Sequence, residues 1–97
     1  MAKHKIRFEV QAGTGITAYW IAVGKDDVPL LNGAGSIMLE PGKHILIWWT
    51  VGNAGSAISI VGKSPSGSTV VEVKQSQVPI GEYQGAGVRK FTVDPQP

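Results

Sequence analysis

Apolar and polar residues alternate with a period of two along several short segments, each bounded by glycine, proline or asparagine. Such a period places one set of side chains on each face of a strand. From Lys3 to Gln11, Ile6, Phe8 and Val10 share one parity, and Lys5, Arg7 and Glu9 share the other. This predicts a half-buried first strand. Ala12 to Gly15 turns the chain into a second strand, Ile16 to Val23, which is apolar on both parities. Gly24 to Gly35 reads as a loop that ends on an Asn32-Gly33 turn signal. A short third strand follows at Ser36 to Leu39, and Pro41-Gly42 turns into a fourth at Lys43 to Val51. Ser56 to Val61 and Ser68 to Gln75 read as the fifth and sixth strands, the latter with Val71 and Val73 on one face. Gln77 to Gly87 reads as a long connection, and Val88 to Val93 as a last strand with Phe91 and Val93 inward. Asp94-Pro95-Gln96-Pro97 is a tail, because two prolines cannot continue a ladder.

Seven short strands with turn signals every few residues predict an all-β, antiparallel, immunoglobulin-like sandwich, with a small barrel as the alternative. No window carries helical periodicity. At 97 residues the chain is expected to form one domain over 1–97. Charged residues make up only 16% of it and the formal charge is +2, too small to select a partner. The absence of cysteine excludes disulfide staples and thiol catalysis. No apolar run reaches the length of a membrane-spanning helix. The first residues lack the apolar core of a signal peptide, so the cytoplasm is the expected compartment.

The segment Leu39-Glu40-Pro41-Gly42-Lys43-His44-Ile45-Leu46 resembles the L-x-P-G-x-aromatic-x-hydrophobic turn of prealbumin-like sandwich domains, which occur as carboxypeptidase regulatory modules and surface-protein repeats. His44 stands where that pattern prefers tyrosine. The resemblance covers about a tenth of the chain, implies a noncatalytic module, and implies no particular ligand.

Motifs that suggest chemistry lack their physical context. Gly13-Thr14-Gly15-Ile16-Thr17-Ala18 matches a dinucleotide fingerprint, but a strand follows where a helix must hold the pyrophosphate. Gly62-Lys63-Ser64 resembles the end of a phosphate-binding loop, yet Ala57 replaces its first glycine and Pro65 blocks the helix. His4 and His44 are too few for zinc, and Asp26, Asp27 and Asn32 lack calcium-loop spacing. Neither a nucleophile elbow nor a carboxylate pair is evident, so no catalytic residue, metal or cofactor is expected. Lys3, Lys5, Arg7, Arg89 and Lys90 would make a basic strip only if the first and last strands were neighbours, and nucleic-acid binding ranks last with hydrolysis.

The second and fourth strands break the sandwich pattern, because both of their faces are apolar. If the larger aliphatic sets face inward, Trp20, Leu46 and Trp48 point outward, with Ala18 and Ala22 leaving the Trp20 ring accessible. Reversed parity would expose Trp49 or Tyr19 instead. Either way an aromatic-aliphatic surface remains, and patches of that kind mark contact sites. Three coverings are open: the 24–35 or 76–87 loop, a protein partner or second copy, or a sugar ring stacked on tryptophan. The candidate site is Trp20, Leu46, Trp48, His44, Ala18 and Asn53, with Thr50, Gln84 and Asp27 as further hydrogen-bonding neighbours. Protein contact is ranked first because the surface is aliphatic as well as aromatic, and carbohydrate second.

Overall fold

The computed structural model describes residues 3–94. Their eight strands are β1 (His4–Ala12), β2 (Ile16–Val23), β3 (Asp26–Asp27), β4 (Ala34–Leu39), β5 (Gly42–Gly52), β6 (Ala57–Lys63), β7 (Thr69–Gln77) and β8 (Gln84–Val93). All pairings are antiparallel and form two four-stranded sheets, ordered β4-β1-β6-β7 and β3-β2-β5-β8. The arrangement is all-β and compatible with a sandwich, with eight strands where seven were expected. The additional strand is β3, two residues that the chain pairs with Ala22 and Val23 immediately after the Gly24 turn. Its brevity and its two aspartates gave it no periodicity to read.

One apolar cluster joins the two sheets. Ile6, Phe8 and Val10 of β1, Ile58 and Ile60 of β6, and Val71 and Val73 of β7 meet Ile21 and Val23 of β2, Leu46 and Trp48 of β5, and Phe91 and Val93 of β8. Phe8 and Phe91 touch edge to face across the sheets, with ring centroids 6.3 Å apart. Such T-shaped pairs are favoured by the ring quadrupoles. Phe8 is flanked in its own sheet by Gly35 on β4 and Gly62 on β6. A Cβ at position 62 would stand 2.7 Å from its ring, so glycine there is a packing requirement.

The last strand begins four residues earlier than expected, at Gln84 in place of Val88. Gly85 and Gly87 resemble loop residues in sequence, but they pair with Thr50 and Trp48 and lie beneath those side chains on the core side of the sheet. The loop after β3 also belongs to the core boundary. Val28 is buried and Leu30 packs against the cluster, while the Val28 amide donates to the Ile21 carbonyl and the Val10 amide to Gly33. On the opposite side Arg89 Nη1 of β8 donates to the Glu72 carbonyl of β7 at 2.6 Å, tying the two sheet edges together.

Candidate functional site

Pairing register decides which residues share the outer face of the β3-β2-β5-β8 sheet, because directly opposed residues point the same way. Ala18, Val51 and Gln84 form one row across the strands; Trp20, Trp49 and Ala86 form the next. Asp27, Ala22, Ile47 and Val88 form the third, and Ile45 with Lys90 the fourth. The face is therefore apolar at its centre. Trp20 and Trp49 are each 39% exposed, Ile45 43% and Val88 67%.

The parity of β5 is the reverse of that expected from the size of its aliphatic set. Leu46 and Trp48 are core residues, at 0% and 5% exposure, and Ile45 and Trp49 take the outside. Trp48 stays inside because β8 makes room for it. Gly87 lies opposite, and the indole Nε1 donates to Ser76 Oγ of β7 at 2.9 Å. Thr50 shares that parity, is buried, and donates to the Gly85 carbonyl at 3.3 Å. His44 is half-buried on the core side, tilted against Phe91 at 5.6 Å and bonded through Nε2 to the Glu40 carbonyl. Asn53 sits exposed in the turn after β5, away from the tryptophan rows. Of the six expected site residues, Trp20 and Ala18 lie on the face, Leu46, Trp48 and His44 lie beneath it, and Asn53 lies at its end.

The two exposed indoles are held by polar neighbours on opposite sides. Trp20 Nε1 donates to Asp27 Oδ1 at 2.9 Å, and Trp49 Nε1 donates to Gln84 Oε1 at 3.0 Å. Trp20 thus leans toward β3 and Trp49 toward β8. Asp27 pairs across from Ala22, so the bond draws the Trp20 ring over Ala22, which is almost fully buried although it faces outward. With their N–H groups satisfied, what remains of both rings is largely apolar surface. Exposure of Trp49 is the reversed-parity alternative for β5, and it brings Ile45, Ile47 and Val88, which are outside the expected site, onto the face beside it. Gly85 and Gly87, opposite Thr50 and Trp48, account for this parity once the β5–β8 pairing is known.

The two loops considered as a cover each reach this face at its margin, where Asp27 of 24–35 and Gln84 of 76–87 bond the two indoles. The 28–33 segment seals the core beside β1 and β2, and residues 84–87 belong to β8 itself. The basic residues do not form one strip either. Lys5 and Arg7 lie on β1, flanked by β4 and β6 in one sheet, while Arg89 and Lys90 lie at the edge of the other. Arg7 is engaged with Glu9 at 3.4 Å. An open cleft of about 430 Å³ lies where the β2–β3 and β4–β5 turns approach, lined by charges of both signs from Lys25, Asp26, Glu40 and Lys43.

Comparison with known proteins finds no matching family model, no matching curated protein and no matching solved structure.

Proposed function

We propose that the chain is a noncatalytic sandwich module, of immunoglobulin-like or prealbumin-like type, that works by protein–protein contact through the outer face of β2, β5 and β8. The supporting observation is the cross-strand Trp20–Trp49 pair set among Ile45, Ile47, Val51 and Val88, on a face where Trp20, Ile45, Trp49 and Val88 all remain exposed. Fully burying one such side chain is worth about 1.5–3 kcal/mol, so a contiguous set held in water favours a covering partner. Tryptophan is also among the residues enriched at interface hot spots.

A carbohydrate reading draws on Asp27 and Gln84, oxygen-bearing side chains placed beside the two rings. It is weaker than protein contact. Of the four hydrogen-bonding neighbours considered from sequence, Thr50 is buried and Asn53 is remote from the rings. The two readings separate in one experiment that follows tryptophan emission and solution mass together. Protein contact predicts emission that shifts only when mass rises, and loss of both changes in Trp49→Ser. Emission that responds to a glycan panel at constant mass would overturn it in favour of sugar binding.

A further inference from the structure

We infer that the covering partner is a second copy of this chain, related by a two-fold axis running parallel to the strands between β2 and β5. The inference rests on the protein-contact reading and adds the partner and its symmetry. An isologous interface must be complementary to itself, and the outer face has that property in one orientation. An axis along the strands keeps every row in place while exchanging β2 with β5 and β3 with β8. Trp20 of each copy then meets Trp49 of the other, twice. Val51, a bulky β5 residue, meets the small Ala18 of β2.

Charge at the two sheet edges favours the same orientation, against the approach of the two Lys43 side chains at the end of β5. On the outer face the β3 edge carries Asp27, while the β8 edge carries Lys90, one row from Val88; Asp26 opposes inward Val23 and takes the other side. Exchanging the edges brings the Asp27 edge of one copy beside the Lys90 edge of the other, at both ends of the interface. An axis across the strands instead sets each edge against its own copy, aspartate beside aspartate and lysine beside lysine. Like charges placed so disfavour that arrangement and suppress it.

The size of the face suits a modest dimer. Three strands about 4.8 Å apart, with outward positions about 6.8 Å apart from Lys43 to Val51, span a patch of roughly 400 Å² in projection, to which the two-residue β3 adds only the Asp27 position. Corrugation by side chains raises the accessible area to roughly 500 Å² per copy, below the ~800 Å² of a standard interface and near the ~1,000 Å² total that a specific interface must clear.

The test uses the full chain in sedimentation equilibrium. Wild type is expected to rise from 10.2 kDa toward twice that mass as concentration increases to about 100 μM. Asp27→Lys makes both edges basic and Lys90→Glu makes both acidic, so each variant alone should dimerise roughly tenfold more weakly. Mixed in equal amounts they pair basic edge with acidic edge at both ends, and dimer should return to within about twofold of wild type. That recovery also controls for the indole partner lost in Asp27→Lys. A mixture no better than its components overturns the proposed axis. Wild type that stays at monomer mass overturns the second copy altogether. Acrylamide quenching then distinguishes the outcomes: quenched Trp20 and Trp49 leave the face open for a different protein, whereas unquenched indoles remove the protein-contact reading as well.

Discussion

Gly87→Ala sets two opposing effects against each other, and the structure decides the sign. Gly87 lies inside β8 with no left-handed backbone requirement. Replacing such a glycine with alanine ordinarily gains roughly 0.5–1 kcal/mol through the unfolded chain. Here the new Cβ would stand 2.6 Å from Cε2 of Trp48 and closer still to Cζ2. Ordinary contact begins near 3.4 Å, so the overlap is close to an ångström. The obstacle is a rigid ring whose Nε1 is bonded to Ser76 and which lies 5% exposed in the core. It cannot swing away without breaking that bond or displacing its neighbours. Overpacking of this kind costs about 1–3 kcal/mol, and the lost indole bond adds about 1 kcal/mol more. The net expectation is a destabilisation of about 1–3 kcal/mol, seen as a melting temperature lower by roughly 5–20 °C for a domain of this size. Urea unfolding monitored by tryptophan emission measures it directly. The decisive comparison is a double-mutant cycle with Trp48→Leu, which removes the ring: Gly87→Ala should be neutral or stabilising in that background. If alanine costs the same with and without the indole, Trp48 does not occupy the space beneath β8, and the inward parity of β5 is wrong.

Three further outcomes follow from the same geometry. Leu46→Ala should cost about 2–5 kcal/mol and Ile45→Ala under ~1 kcal/mol, since one is a core residue and its neighbour faces out; chemical denaturation of the pair measures the contrast, and equal losses would contradict the parity. Asp27→Ala should free the Trp20 indole, increasing its acrylamide quenching while changing stability by only about 1 kcal/mol, the worth of an exposed charged hydrogen bond at most. Asn32, at φ 54°, occupies the left-handed region, so Asn32→Val should destabilise by about 1–2 kcal/mol while Asn32→Gly stays near neutral, as thermal melts will read.

Where one face of a strand is polar, its orientation could be read directly. Ile6, Phe8 and Val10 of β1, Val71 and Val73 of β7, and Phe91 and Val93 of β8 all face the core as their alternation demands. β2 also kept its expected orientation, with Ile21 and Val23 inward and Trp20 outward. β5 did not, because both of its parities are apolar and periodicity assigns neither to the core. Its orientation is set by pairing: Phe91 opposes His44, so an inward Phe91 carries His44, Leu46, Trp48 and Thr50 inward with it. Which strand pairs with which is a long-range property that no local pattern encodes. The glycines of β8 were misread for a related reason. Gly85 and Gly87 mark a loop when judged by propensity, yet here they are the space that Thr50 and Trp48 require, visible only once the partner strand is known.

The two-residue strand β3 holds the acid that orients Trp20, and it is tied to the sheet by its pairing with Ala22 and Val23 and by the bond from the Val28 amide to Ile21. A margin so thinly attached frays before the rest of the sheet. Each fraying event would carry Asp27 off, release the ring from above Ala22 and reshape one corner of the tryptophan surface. The lifetime of that surface in its recognisable form therefore follows that of the short β3 pairing, and stiffening the Gly24–Lys25 turn would preorganise it without touching a single aromatic residue.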